Sequence, residues 1–379
     1  MDLSKAFDTL NHELLIAKLN AYGFSHSSLK LLLSYLTDRW QRTKINYTYS
    51  SWTEIMQGVP QGSILGPLLF NIYLNDLFYL DIDSNLCNYA DDNTLYQCDA
   101  NLSELIRKLE TSARSVIHWF SYNYMKLNES KCKLLVTGNK EEVIIASVGD
   151  VNVIESHKVK LLGICIDREL KFNENVNIKC NIAGKKLNAL MRLGDILPFH
   201  RKRQLINCFV ESQFSYAPLL SLFHSREVNN KVNNLHYRAL RFLYRDDVSS
   251  FKELLKKDNS VTIHQRNIQF LAIELYKVKS GIGPYLIQEI FTPRNIPENS
   301  MVASLRTQTD FYNYHNPKSV RFGNETLRTL GPKIWNIIPP NIKNSASLNA
   351  FKENIKKWTP TDCPCRICKC YIQGIGFIE

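Results

Sequence analysis

Residues 88–97, NYADDNTLYQ, place two adjacent aspartates, Asp91 and Asp92, inside a run of Tyr, Thr, Leu and Ala that otherwise has strand-forming composition. Asp and Asn are ordinary turn residues, so the pair fits the polar tip of a β-hairpin. It equally fits a cation site, because carboxylates side by side repel unless a cation or a raised pKa relieves them. These ten residues alone do not choose between the two.

The surrounding chain sets the bounds. Its 379 residues, 44% hydrophobic, suit two or three globular domains rather than a disordered polymer. No apolar run reaches the roughly 18 residues needed to span a bilayer, and Met1–Lys5 has no signal-peptide character. The expectation is an intracellular protein, nuclear or cytoplasmic, not secreted and without a membrane partner. Six of the ten cysteines are scattered singly, which fits reduced thiols; the other four crowd into CPCRICKC, Cys363 to Cys370. The net charge is +11, and residues 176–260 hold 15 Lys or Arg against 7 Asp or Glu. A basic helical region of that kind fits a polyanion, with nucleic acid the leading partner class.

Hydrophobic periodicity divides the chain. MDLSKAF reads as a short strand and NHELLIAKLNAY as a helix capped by Asn11; SSLKLLLSYLTDRW reads as a second helix. RTKINYTY and SWTEIM read as a strand pair, QGVPQGSILGP as a loop, and LLFNIYLNDLF as an apolar helix. Asn101 with Glu104 resembles a capping box before a long helix, and KCKLLVTG, EVIIASV and KVKLLGICID read as strands. This is an α+β layout, helices packed on a mainly antiparallel sheet. After residue 171 polar helices dominate, and Ser345 or Ser347 offers a cap for the last of them.

Asp2 sits in the first strand, far in sequence from Asp91 and Asp92. Nucleotidyl transfer by two cations requires carboxylates from at least two elements, because cations about 3.5–4 Å apart must be bridged and their charge balanced. Asp2, Asp91 and Asp92 meet that requirement without a histidine or a protein nucleophile.

MDLSKAFDTLNHELL, QGVPQGSILGPLLFNIYLNDL, YADD, MKLNESKCKLLVTG and VKLLGICID resemble, in order and spacing, successive motifs of the reverse transcriptases of non-long-terminal-repeat (LINE-type) retrotransposons. The resemblance covers residues 1–170 and implies a polymerase palm there, with the fingers largely missing. It implies a helical thumb over 171–260 and leaves a helical C-terminal region, 261–358, and a Cys-rich tail, 359–379.

By the same resemblance, Asp2 and Asp91 are ligands of two magnesium ions, with Asp92 in support and the Leu3 carbonyl as a further ligand. Phe7 matches the aromatic residue that blocks a ribose 2′-hydroxyl, and Asp8 reads as structural. Gln61 and Gly62 match the segment that meets the incoming dNTP, where a missing Cβ lets a base or sugar approach the backbone. Lys131, with Lys126 and Lys133 close by, matches the lysine that protonates pyrophosphate. Leu162 and Gly163 match the primer grip. Lys185, Lys186, Arg201, Lys202 and Arg203 are expected to track the phosphates of an RNA template and DNA primer, unless they form only a solvated helix face.

CPCRICKC can hold zinc through Cys363, Cys365, Cys368 and Cys370, although its spacing is tighter than that of two-knuckle sites. A reduced, metal-free tail is the competing reading.

The expected function is an RNA-directed DNA polymerase acting by two-metal nucleotidyl transfer. The alternative is a catalytically silent nucleic-acid-binding remnant of such an enzyme. With Asp2 so near the end of the chain, its strand is expected to fray and activity to be low.

Overall fold

In a computed structural model, residues 1–138, 143–194, 196–293, 312, 313, 317, 323, 325–360 and 363–368 are described. They fall into two compact units, Met1–Leu162 and Gly163–Glu379.

The first unit opens with a single bridge residue, Leu3, then turns through Ser4 and Lys5 (φ 49°) into a 3-10 turn, Ala6–Asp8, where the sequence suggests a longer strand. Helix α1 (His12–Ala21) begins where the Asn11 side chain accepts the Leu14 N–H at 2.8 Å, and α2 (His26–Leu36) follows, capped by Ser25. Short strands β1 (Trp40–Gln41) and β4 (Thr53–Glu54) pair around β2 (Lys44–Ile45) and β3 (Thr48–Tyr49). Helix α3 (Leu65–Leu74) leads through a 3-10 turn to the hairpin β5 (Asn85–Tyr89) and β6 (Asp92–Tyr96).

Helix α4 (Leu102–Tyr122) buries Ala113, Val116, Trp119 and Phe120 along one stripe. Asn101 caps it, accepting the Ser103 and Glu104 N–H groups, but Glu104 does not close a capping box. Its carboxylate is taken by Arg107 at 2.6 and 2.9 Å. Strands β7 (Ile145–Val148), β8 (Val151–Ile154) and β9 (Lys158–Leu161) complete the unit. KCKLLVTG contributes only an isolated bridge, Leu134 with Glu155, rather than a strand.

One core joins these parts, with Leu10, Leu15, Leu19, Phe70, Tyr73 and Phe120 each at most 1% exposed. Burial contributes about 1.5–3 kcal/mol per large apolar side chain. Lys18 reaches into this core, where burial lowers its pKa; Asp76 at 2.6 Å and the Tyr73 carbonyl at 2.8 Å hold the ammonium.

The second unit starts with β10 (Ile164–Asp167) and is otherwise helical: α5 (Asn173–Arg192), α6 (Phe199–Ile206), α7 (Ser212–Ser215), α8 (Arg226–Tyr244), α9 (Phe251–Asp258), α10 (Ile263–Lys279) and α11 (Tyr285–Ile290), followed by α12 (Leu327–Ile337), α13 (Pro340–Lys343) and α14 (Leu348–Lys356). A π-helical segment, Asn207–Glu211, joins α6 to α7. Two cores form. Val176, Leu187, Val210, Val232 and Leu243 pack in one, and Leu271, Leu275, Trp335, Phe351 and Ile355 in the other. Helix α10 is buried on most sides, its polar His264, Asn267, Gln269 and Glu274 included, and a Thr262–Gln265 capping box starts it. Ser347, not Ser345, caps α14.

The architecture is therefore mixed, as expected, but its sheet is divided into two-stranded antiparallel pieces rather than one continuous layer.

Candidate active site

The hairpin register pairs Tyr89 with Asp92, leaving Ala90 and Asp91 as a two-residue turn. Ala90 takes φ 52°, a left-handed conformation that costs any residue with a Cβ. Two asparagines hold the turn. Asn88 Nδ2 donates to the Ala90 carbonyl (2.7 Å) and to Asn93 Oδ1 (2.9 Å), and Asn93 Nδ2 donates to the Asp91 carbonyl (3.1 Å). Asn93 is 1% exposed, so these bonds are shielded from water. Sequence reasoning did not single out either residue; polar residues flanking the acidic pair at inward strand positions were the available signal.

Residues 1–4 are tied on both edges, against the expectation of a fraying strand. The Met1 amino group donates to the Asn93 carbonyl (2.7 Å), and the Asn93 N–H donates back to the Met1 carbonyl (3.1 Å). On the other edge the Ser4 N–H donates to the Lys126 carbonyl and the Asn128 N–H to the Asp2 carbonyl, both at 2.8 Å, with Leu3 bridged to Leu127. The Met1–Asn93 pair therefore holds the start of the chain beside the strand that carries Asp92, one residue before Asp2.

Asp2, Asp91 and Asp92 are all partly exposed. Asp2 Oδ2 is shielded from solvent and accepts no hydrogen bond from the described residues. Lys131 Nζ stands 3.1 Å from it as an ion pair, outside hydrogen-bonding geometry. A buried carboxylate oxygen answered only by a nearby cation suits a divalent ion, and so does a pair of like charges on the adjoining turn. Of the three lysines in this region, Lys131 is the one seen paired with Asp2.

The QGVPQG loop lies against the segment that follows Asp2. The Val59 N–H donates to the Phe7 carbonyl (2.9 Å), the Gly58 N–H to the Leu10 carbonyl (2.7 Å), and Gln61 Nε2 to Asp8 Oδ1 (2.8 Å). Phe7 is half-buried and stacked on Phe70, with ring centroids 4.2 Å apart. Gly62 is exposed at φ 80°, and a Cβ there would meet nothing within 4 Å, so the space beside it is open to a ligand. Leu162 (φ 47°) and Gly163 (φ 79°) form a left-handed turn where the chain passes from the first unit to the second.

The basic side chains of the second unit have different surroundings. Lys185 and Arg201 are exposed, and Lys186 lies over the Phe209 ring at 5.7 Å. Lys202 is 3% exposed and lies over Phe242 at 4.9 Å, while Arg203 is engaged by Asp258 and Tyr244. An aromatic and basic patch went unnoticed in the sequence: Arg42 lies over Tyr49 (4.0 Å) and Trp52 (4.5 Å), all on exposed short strands or their connections. Exposed rings beside cations can stack bases.

Of the zinc candidates, Cys363, Cys365 and Cys368 come together, and Cys370 lies outside the described residues. His264, unsuspected from sequence, joins them, with Nε2 3.2 Å from Cys365 Sγ and 3.4 Å from Cys368 Sγ. Hydrogen bonds from Cys363 and Cys368 drive the Cys365 thiol pKa down, while its bond with Cys365 pushes Cys363 up to about 12.

Residues 1–166 match the family model described as reverse transcriptase (RNA-dependent DNA polymerase). A probable RNA-directed DNA polymerase from transposon BS of Drosophila melanogaster is 28% identical over 255 residues, covering 64% of this chain and 28% of that protein. The RNA-directed DNA polymerase from mobile element jockey of Drosophila funebris is 25% identical over 258 residues, 64% of this chain and 27% of the relative. A Pol polyprotein from type-1 retrotransposable element R2 of Popillia japonica is 32% identical over 77 residues, 20% of this chain and 13% of that one. The alignments to the first two relatives cover more of the chain than the family match, so the likeness continues into the helical unit. They span just over a quarter of those relatives' lengths.

Proposed function

We propose, on the premise that residues 1–166 are a reverse transcriptase domain of the non-long-terminal-repeat type, that this chain copies RNA into DNA at the site built around Asp2, Asp91 and Asp92. The observation that carries the proposal is the two-sided anchoring of residues 1–4, which ties Met1 to Asn93, two residues past Asp91, and Asp2 to Asn128. Asp2 and Asp91, with Asp92 in support and the Leu3 carbonyl beside them, would hold two magnesium ions. Bound magnesium supplies a lowered pKa for the attacking 3′-hydroxyl and charge neutralisation for the leaving pyrophosphate.

The chain's own groups do the rest. Asn88 and Asn93 fix the turn that aims Asp91, so less carboxylate reorganisation is needed as charge develops. Gln61 and the open face of Gly62 receive the incoming nucleotide, and Phe7, backed by Phe70, closes the space where a ribose 2′-hydroxyl would lie. Lys131 is placed to give a proton to departing pyrophosphate, a step worth about 10²–10⁴ in rate for a positioned acid. Leu162 and Gly163 serve as the primer grip of this palm. In the helical, thumb-like region, Lys185, Lys186 and Arg201 follow the duplex phosphates. Lys202 and Arg203 act mainly by holding the helices together.

The test is primer extension on an RNA template with dNTPs and magnesium. Extension that Asp91→Ala abolishes supports the proposal. Salt-sensitive RNA binding without extension by the wild-type chain would favour a silent nucleic-acid-binding remnant, and extension that survives Asp91→Ala would refute the site.

A further inference from the structure

We infer that His264, Cys363, Cys365 and Cys368 form a structural zinc site that fastens the end of the chain to the first turn of α10. The four ligand atoms, the imidazole nitrogen and three sulfurs, all lie within 4.8 Å of one another. Zinc–sulfur bonds of about 2.3 Å and zinc–nitrogen bonds of about 2.0–2.1 Å put tetrahedral sulfur and nitrogen ligands roughly 3.6 Å apart. The observed 3.2 and 3.4 Å from His264 Nε2 to Cys365 and Cys368 need only slight expansion to admit the ion.

Burial and chemistry argue in the same direction. Cys363 and Cys365 are 3% and 2% exposed and His264 is 5% exposed, within a core that also includes Ile268, Phe351 and Ile355. Thiols are weak hydrogen-bond donors and acceptors, so in an apolar core they satisfy one another and an imidazole poorly, whereas a dication bound by the thiolates and the imidazole nitrogen satisfies all four ligand atoms at once. Three sulfurs and one nitrogen, all buried but the partly exposed Cys368, form the soft four-ligand set that favours zinc in a structural role and leaves no open position for catalysis.

The surroundings bring both halves to the same place without metal. The Thr262–Gln265 capping box fixes the turn that carries His264. Gln269, one helical turn further along α10, donates to the Lys356 carbonyl (3.3 Å) and the Trp358 carbonyl (2.9 Å), docking the exit of α14 on the same helix. The cysteines arrive from that exit. His264 and Cys365 are 101 residues apart, so one ion would close a long loop, the case in which a cross-link restricts the unfolded chain most. This set differs from the four-cysteine reading of CPCRICKC, because His264 takes the place assigned there to Cys370.

The experiment is metal analysis of the full chain by inductively coupled plasma mass spectrometry, followed by cobalt exchange and visible spectroscopy. The expected result is one zinc per chain, and a cobalt form with tetrahedral d–d bands and thiolate charge transfer scaled to three sulfurs. Cys365→Ser should lower zinc occupancy at least tenfold, while Cys370→Ser should leave it unchanged. His264→Cys covers the chance that a variant fails to fold: it should keep one zinc and shift the cobalt spectrum to a four-sulfur pattern. Zinc-free wild-type protein, recovery of iron or copper, a disulfide among these cysteines, or loss of zinc in Cys370→Ser but not in His264→Ala would overturn the assignment.

Discussion

Lys131 Nζ lies 3.1 Å from Asp2 Oδ2, so an ammonium already neutralises the carboxylate assigned to magnesium. The lysine side chain is 65% exposed, and such pairs contribute at most about 1 kcal/mol. Removing the ammonium in Lys131→Ala should therefore lower the magnesium concentration for half-maximal extension by up to about fivefold. If Lys131 also protonates pyrophosphate, the same variant loses about 10²-fold or more in kcat. Magnesium titrations of extension rate separate the two effects, with Lys126→Ala and Lys133→Ala as controls that should change neither.

Asn93 clamps the Asp91 turn from a buried position. Asn93→Ala leaves the Asp91 carbonyl without its donor and Asn88 with only its bond to Ala90, and should cost about 1–3 kcal/mol of stability. Extension should fall further than the fraction folded does. Urea unfolding alongside kcat measurements checks this; a kcat that simply follows the folded fraction would show that the clamp does not aim Asp91.

Two glycines of one loop should fail in different ways. A Cβ on Gly58 (φ 87°) would lie 2.7 Å from the Asp8 Cα and carbonyl oxygen, so Gly58→Ala adds a backbone clash to the left-handed cost and should lose about 3 kcal/mol or more. At Gly62 (φ 80°) the space is open, so Gly62→Ala should cost only about 1–2 kcal/mol of stability while raising KM for dNTP. Thermal melts and steady-state kinetics on the two variants distinguish the cases.

His236 gives the helical unit an acid limit. Burial lowers its pKa from 6.5 to about 4, so the folded state keeps it neutral while the unfolded state takes up a proton below pH 6.5. Its contribution is complete above that pH and is lost as pH falls towards 4; from pH 7.5 to 5 the loss is about 2 kcal/mol. His236→Gln should make the stability profile shallower over that interval, with buried His224, also lowered to about 4, keeping part of the slope, as followed by urea unfolding at several pH values.

Local signals were the legible ones. Asn11 and Ser347 cap the helices their sequence positions suggested, because a side-chain oxygen one to three residues from its N–H partner needs no tertiary context. Asn101 also caps, but the choice of Glu104 between the backbone and Arg107 depended on a competing cation that the motif does not encode. The aspartate hairpin was legible in its alternating strands and acidic turn. The anchoring of residues 1–4 was not, since Asn93 and Asn128, the partners of Met1 and Asp2, are far away in sequence. MDLSKAF and KCKLLVTG have strand composition, yet only their first or central residues find a pairing edge. His264 was hidden for the same reason: 101 residues separate it from Cys365, and only the packing of α14 on α10 brings them together.

On the proposed reading, residues 1–4, the Asp91 turn and the segment through Lys131 surround one cation site. Iron(II) can take magnesium's place and, with ascorbate and peroxide, cut the backbone close to where it binds, so the cuts mapped on the full chain report which segments line the ion. The expected result is cleavage around residues 90–93 and 126–131 that excess magnesium suppresses and Asp91→Ala removes. Cleavage absent from these segments, or unaffected by both magnesium and the substitution, would contradict it.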